Sequence, residues 1–230
     1  MLVAAYLTRR HGNLAKRMIE QLDGAPFPVL PFYNGVPRDD DVSDASWHSP
    51  ENLYFAGGVN FVVDMISTTF PTCDVAWILN DDLEGVTPEM GERLYGVMER
   101  HPSIAMLSPS YNSSHPPTQP HGSGFFRFVS HVDGAAHMIR LSAFRAVGGY
   151  DAANFPGWGC DLSLCLVLRR AGWLLAVDDR EEVVHDWQRG TAHNDPAIRE
   201  VYQGGGWQNR LISKHGTREI PGYGGFYPDP

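Results

Sequence analysis

Cysteine is scarce in this sequence, and runs of basic residues and long apolar stretches are absent. The 230 residues include three cysteines, none in a C-x-x-C spacing, so we expect no disulfide framework, and the odd count is typical of a reducing compartment. The net charge of −9 argues against a nucleic-acid or anionic-membrane surface. No apolar run approaches membrane-spanning length. We therefore expect a cytoplasmic protein without a transmembrane segment, whose membrane contact would be peripheral.

The hydrophobic content of 43% is enough for one sizeable core, and we expect residues 1–230 to form a single domain. The apolar start, Met1 to Leu7, is followed rather than preceded by Arg9 and Arg10. This order predicts a first strand rather than a signal peptide. No internal repeat or linker interrupts the chain.

Strand and helix patterns alternate through the first half of the chain. Residues 2–7 read as a buried strand, and Asn13 then begins a helix. The apolar face of that helix is predicted to hold Leu14, Met18, Ile19 and Leu22. A later helix begins clearly at Thr87, with Thr as cap and Pro88 in the first helical position. This alternation predicts an α/β fold with a mixed, mainly parallel sheet flanked by helices.

The most informative stretch is the apolar run from Val75 to Leu79, which stops abruptly at Asn80, Asp81 and Asp82. An apolar run without alternation suits a strand covered on both faces. Its carboxyl end is where open α/β sheets bind ligands. Two adjacent carboxylates repel each other, and a divalent cation that bridges to substrate phosphates would neutralise them. The alternative is a solvated turn before the helix at Thr87.

The second half is less regular. Residues 108–124 are rich in Ser, Pro, His and Asn, which is typical of a functional surface loop. Ser142 is expected to cap a short helix that ends at Gly148-Gly149, and Asp161 is placed to cap a helix over 162–171. His131 and His137 are too far apart to predict a zinc pair. The Gly-, Pro- and aromatic-rich residues 204–230 predict an irregular tail.

Four segments then carry a resemblance to a known family. They are Met138 to Arg140, Ala143 to Asp151, Gly157 to Leu162, and Leu166 to Trp173. Together they resemble the acceptor-side half of family 2 glycosyltransferases, which have the GT-A fold. The resemblance extends from the first strand to about Thr191 and is strongest over Ala136 to Trp173. It implies a nucleotide-sugar-binding half at 1–107 and an acceptor half at 108–203.

The resemblance also implies a reaction, which is inverting transfer of a sugar from a nucleoside diphosphate to a hydroxyl acceptor. Asp82 and His185 would hold Mn²⁺ or Mg²⁺ against the diphosphate, and a mixed carboxylate and imidazole shell leans toward Mn²⁺. Asp161 would be the general base. A UDP-sugar is the first choice of donor, with GDP- and dTDP-sugars as alternatives.

Further residues are assigned to substrate by the same resemblance. The donor site would include Thr8 and Arg9 after the first strand, Asn34 near the nucleoside, Gly58 and Asn60 beside the diphosphate, and Asn80 and Asp81. The acceptor site would include Trp158, Gly159 and Trp187, because aromatic rings stack on sugar faces. The alternatives are a solvated loop at Arg9 and core packing for the tryptophans.

The sequence departs from the family pattern at three places. Cys160 stands where the family has Glu before the catalytic Asp161, Asn80 stands where the metal motif usually has Asp, and the loop after the first strand lacks the usual Tyr-Asn. Two alternatives therefore stay open. One is a nucleotidyltransferase that makes nucleotide-sugars, and the other is an inactive sugar-binding module, which the missing acid at Cys160 favours.

Overall fold

The computed structural model describes residues 1–9, 13–35, 47–111, 124–185, 194–203 and 206–216. The strands in these ranges are β1 (Leu2–Thr8), β2 (Val29–Asn34), β3 (Trp47–Ser49), β4 (Val75–Asn80), β5 (Leu83–Glu84), β6 (Ile104–Tyr111), β7 (Phe126–Phe128), β8 (Ala136–Arg140) and β9 (Leu174–His185). The helices are α1 (Asn13–Gln21), α2 (Tyr54–Thr69), α3 (Pro88–Arg100), α4 (Leu141–Ala146), α5 (Cys160–Arg170), α6 (Pro196–Gln203) and α7 (Trp207–His215).

The strands form a mixed sheet in the order β3-β2-β1-β4-β8-β6-β9-β5, and β7 pairs with β9. The first four strands of this order run parallel to one another. Strand β8 is antiparallel to both β4 and β6, whereas β6 and β9 are parallel. The predicted mixed α/β architecture is confirmed, and β8 marks the change of strand direction in the middle of the sheet.

The core lies on both faces of the sheet. Alternate residues of β1 and β4 enter separate apolar clusters; Val3 and Ile78 belong to one, and Tyr6 and Trp77 belong to the other. Helices α2 and α5 cover the first face, and α1 and α3 cover the second. Burial on both faces explains why the apolar runs of these strands do not alternate with polar residues.

Helix starts are partly as predicted. Thr87 caps α3, since its hydroxyl accepts a hydrogen bond of 3.2 Å from the Met90 amide. The expected cap of α4 at Ser142 is wrong, because that helix begins one residue earlier, after Arg140. In α1 the expected burial of Ile19 is also wrong. Its side chain is 52% exposed, and Ala15 takes the place on the buried face.

The segment expected to be an irregular tail contains a helix. Residues Trp207–His215 form α7, with Leu211 buried against the rest of the chain. Arg170 donates a hydrogen bond of 2.6 Å to the His215 carbonyl at its end. The Gly, Pro and aromatic content predicted an irregular tail because composition reports only local helix propensity. This helix is stabilised by contacts with the rest of the protein. In the described ranges, no helix has both the length and the apolar character that crossing a membrane requires.

Candidate functional site

Three parallel strands end together at one edge of the sheet. The register pairs Leu7 of β1 with Asn80 of β4, and Thr8 of β1 with Tyr33 of β2. Thr8 and Asn34 are therefore close to the point where β4 gives way to its polar triplet. The carboxyl ends of parallel strands form the usual ligand-binding edge of an open α/β sheet.

Asp82 and His185 meet at this edge although they are far apart in the sequence. Strand β5 pairs with β9 so that Leu83 lies opposite His185, which places Asp82 beside the last residue of β9. The Oδ1 atom of Asp82 lies 3.5 Å from Nε2 of His185. Asp82 is only 3% exposed, so this carboxylate is held inside the protein rather than in a solvated turn.

The Oδ1 atom of Asp82 is buried and has no hydrogen-bond partner in the part of the chain that the structure describes. Buried polar atoms almost always have a hydrogen-bond partner, so a carboxylate oxygen without one beside an imidazole indicates a place where a ligand binds. A carboxylate oxygen and an imidazole nitrogen at this separation suit a shared Mn²⁺ or Mg²⁺ ion. The described residues contain no group of three possible metal ligands, so phosphate oxygens and water would have to complete the shell.

Asn80 connects the end of β4, which Asp81 follows, to a loop that precedes β8. The Asn80 amide donates a hydrogen bond of 2.8 Å to the carbonyl of Ala135. Both side chains are half-buried, so they stay accessible to a ligand at the sheet edge. This contact brings residues 131–135 to the edge.

The predicted base, Asp161, lies in the first turn of α5. Gly159 is the residue that caps this helix, so the expected capping role of Asp161 is wrong. Its Oδ1 accepts a hydrogen bond of 2.8 Å from the Leu162 amide, and its Oδ2 lies 3.4 Å from Nε2 of His131. Burial favours the neutral acid, but the contact with His131 and the backbone hydrogen bonds outweigh it and lower the pKa of Asp161. The carboxylate is therefore ionised at neutral pH.

Two residues of this site were missed in the sequence, namely His131 and Asp133. His131 is 1% exposed and contacts Asp161. Burial, and then repulsion by Asp161, raise the pKa of Asp133. Asp133 precedes a glycine, and Asp-Gly is an ordinary turn signal, so no local pattern marked it as a site residue.

Asp133 is close enough to both predicted parts of the site to feel their charges. Its carboxylate interacts electrostatically with Asp161 and with His185. The Tyr111 ring stands 6.0 Å from the His185 ring, and the Tyr111 hydroxyl accepts a hydrogen bond from the Ala136 amide just beyond the loop. The predicted metal pair and the predicted base therefore border one region.

Asn34 and Gly58 already have structural roles. The amide group of Asn34 donates to the Tyr54 carbonyl and accepts from the Leu53 amide, each at 2.8 Å, and so holds the start of α2. A Cβ at Gly58 would stand 3.1 Å from both the Leu7 and the Asn34 side chains. Close packing of α2 on the sheet explains this glycine without a diphosphate.

Asn60 belongs to a different part of the molecule. Its side chain donates to the Tyr150 carbonyl at 2.8 Å and accepts from the Tyr150 amide at 2.9 Å. It lines a cavity of about 410 Å³ together with Asp151, Ser163 and Lys214. None of Asp82, His185 and Asp161 lines this cavity, so the expectation that Asn60 meets the diphosphate is not supported by its position.

The remaining predicted residues lie around the C-terminal helices. Arg9 lies 3.6 Å from Asp195, just before α6. Trp158 is 38% exposed, and its ring meets the Tyr202 ring edge-on with 6.2 Å between centroids. Gly159 has a φ of +81°, and a Cβ there would stand 2.5 Å from the Trp207 ring. Trp187 lies outside the described residues.

The contact between His131 and Asp161 gives a pH-dependence prediction. Replacing His131 with leucine removes a contact that lowers the pKa of Asp161, so this pKa should rise and the ionised fraction should fall at the acidic end. We expect the acidic limb of a kcat profile to move to higher pH, with little change in KM. His131→Gln, which keeps a donor, should restore most of the profile. An unshifted limb in the leucine variant would contradict this role.

Comparisons with known proteins agree on the fold. No protein-family model matches the chain, and no curated protein matches it in sequence. The solved structure of GalNAc-T7 with UDP, GalNAc and Mn²⁺ aligns over 96% of this chain at a TM-score of 0.64 and 9% identity. Mannosyltransferase PcManGT from Pyrobaculum calidifontis, in complex with GDP-Man and Mn²⁺, aligns over 92% at a TM-score of 0.61 and 11% identity. The chain has a GT-A glycosyltransferase fold. It spans 55% and 64%, respectively, of the length of those two chains.

Proposed function

We propose that this protein is a metal-dependent, inverting glycosyltransferase of family 2 that moves a sugar from a nucleoside diphosphate to a hydroxyl acceptor. The observation that carries the proposal is the buried Oδ1 atom of Asp82, without a hydrogen-bond partner in the described ranges and 3.5 Å from His185, at the ligand-binding edge of a GT-A fold. The two structural neighbours support it, since one is solved with UDP and GalNAc, the other with GDP-Man, and both with Mn²⁺.

Asp82 and His185 would hold the ion. A bound Mn²⁺ or Mg²⁺ would neutralise the charge that develops on the leaving diphosphate. The protein's part is to keep a carboxylate and an imidazole close together in a buried position, where their charge is little screened by water. Thr8, Arg9, Asn80 and Asp81 are proposed to surround the diphosphate, and Asn34 the nucleoside, while its amide keeps the α2 start in place.

Asp161 would take the proton from the acceptor hydroxyl. Its lowered pKa keeps the carboxylate ionised, and the contacts with His131 and the Leu162 amide fix its orientation. With a base rather than a nucleophile in this position, the hydroxyl itself would attack the anomeric carbon, which inverts its configuration. Trp158, Gly159 and Trp187 are proposed to meet the acceptor.

An inactive sugar-binding module is the second candidate. The observation that favours it is Cys160, a buried neutral residue beside Asp161 where the family pattern has a carboxylate. Such a module would bind a nucleotide-sugar without transferring it. We also propose a cytoplasmic location, because all three cysteines are free.

A binding panel tests the proposal. UDP-, GDP- and dTDP-sugars are added to the protein with Mn²⁺ or with a chelator, and thermal unfolding is followed. A ligand at 100 times its dissociation constant adds about 2.7 kcal/mol to the stability of the native state. We expect stabilisation by one class of nucleotide-sugar in the presence of Mn²⁺, and its loss with chelator. Stabilisation that is equal with chelator would contradict metal dependence, and no stabilisation by any nucleotide-sugar would overturn the proposal.

A further inference from the structure

The loop at residues 131–135 is fixed to two different elements of the site. At one end, the Asn80 amide of β4 donates to the Ala135 carbonyl at 2.8 Å. At the other, the Val132 amide meets the Cys165 sulfur of α5 at 3.4 Å. The loop therefore bridges the strand that leads to the metal pair and the helix that carries Asp161. Its side chains have defined positions relative to both.

Asp133 is the acidic residue of this loop. Its Oδ1 atom accepts a hydrogen bond of 2.8 Å from the Ala135 amide, which orients the carboxyl group. A Cβ at the neighbouring Gly134 would stand 3.8 Å from the Asp161 Cβ and 2.9 Å from the Phe55 ring. The loop thus passes beside the proposed base, and the Phe55 ring leaves no room for a side chain at Gly134.

The position of the Asp133 carboxyl group, close to the Asp161 carboxylate, requires an explanation. The Asp161 carboxylate beside this loop repels the Asp133 carboxylate electrostatically, and such groups of like charge in a cleft are typical of functional sites. The second acid that the family pattern places at Cys160 is absent, and the loop before β8 supplies a carboxyl group to the same region instead.

The reaction geometry indicates which ligand group Asp133 faces. In an inverting transfer the sugar ring lies between the diphosphate, held by Asp82 and His185, and the attacking hydroxyl, held by Asp161. The loop that carries Asp133 runs from its contact with Asn80, two residues before Asp82, to its contact with α5, beside Asp161. The sugar ring is the substrate part that must occupy the interval.

We propose that Asp133 accepts a hydrogen bond from a ring hydroxyl of the donor sugar and selects donors that carry this hydroxyl. This inference rests on the proposed function. It assigns a donor-specificity role to a residue outside both the metal pair and the base. The nucleotide and the metal would bind without it.

The experiment compares a sugar nucleotide with its nucleoside diphosphate, using the UDP-, GDP- or dTDP-hexose that binds most tightly with Mn²⁺. In Asp133→Ala the ratio of the two dissociation constants should rise about 10- to 100-fold, the range for a hydrogen bond to a charged group. Asp133→Asn keeps an acceptor for the Ala135 amide and should fold normally, with the ratio moved in the same direction. The matched control is Asp64→Asn, an exposed change on α2, which should leave the ratio unchanged.

Monodeoxy analogues of the same donor complete the test. One analogue should bind wild-type protein about 10- to 100-fold more weakly than the parent sugar, and Asp133→Ala should bind the two equally, because coupled groups are not additive. An unchanged ratio of the two dissociation constants in both Asp133 variants would overturn this inference and leave the proposed function in place. If the nucleoside diphosphate and the sugar nucleotide both bind more weakly by the same factor, Asp133 has a structural role only. Failure of wild-type protein to bind any sugar nucleotide would overturn the proposed function as well.

Discussion

Replacing Asp161 with asparagine is expected to lower kcat by about 10²- to 10⁴-fold, the usual contribution of a general base. Asparagine has nearly the same shape and its oxygen still accepts from the Leu162 amide, so the first turn of α5 should be preserved. It cannot take up a proton. Donor binding should persist, because Asp161 is not part of the metal pair. The measurement is transfer to an acceptor together with donor affinity.

Asp64→Asn is again the matched control, since it makes the same chemical change on the exposed face of α2. It should transfer at the wild-type rate. Wild-type kcat in the Asp161 variant would place the base elsewhere. If wild-type protein binds a donor but transfers to no acceptor, the inactive module becomes the better interpretation.

Replacing Asp82 with asparagine is expected to abolish the response to Mn²⁺. A bound metal supplies several kcal/mol of charge stabilisation to such a transition state, so transfer should fall by about 10²- to 10³-fold, with weaker binding of the nucleotide-sugar. Without metal, the variant should melt at least as high as wild type. The reason is that asparagine replaces a buried carboxylate whose Oδ1 has no hydrogen-bond partner in the described ranges.

A metal ligand and a structural acid differ in the combination of these results. Replacing a metal ligand lowers Mn²⁺-dependent transfer but does not lower the melting temperature of the metal-free protein. Metal affinity can be followed directly by Mn²⁺ titration, independently of activity. His185→Ala should weaken Mn²⁺ binding in the same way. A large loss of stability in metal-free Asp82→Asn, with Mn²⁺ affinity retained, would show that the 3.5 Å contact is a structural ion pair.

The sequence predicted those parts of the fold that depend on local pattern. The strand at Val75–Asn80 and the cap at Thr87 are confirmed, because continuous burial and helix capping leave signals within a few residues. The pairing of Asp82 with His185 required the family resemblance. It depends on the register of β5 against β9, and register between distant strands is not encoded in either segment alone.

Other residues were difficult to assign because one residue type serves several purposes. Gly58 fits a close approach to phosphate, but it equally fits the tight packing of α2 on Leu7 and Asn34. Asn60 was expected near the diphosphate and instead holds the Tyr150 backbone. His131 and Asp133 were missed for the converse reason. Their importance comes from the contacts of their loop with β4 and α5, which no spacing in the sequence reveals.

The packing of Trp207 against Gly159 has a consequence for how the protein is made. Gly159 immediately precedes the helix of the proposed base, and the ring that covers it comes from the last helix of the described chain. During synthesis the chain emerges from its amino end, so the described strands of the sheet and the loop before β8 leave the ribosome before Trp207 does. The surroundings of Asp161 are completed only when Trp207 has left the ribosome, so a nascent chain cannot acquire its finished site while α7 is still inside the exit tunnel.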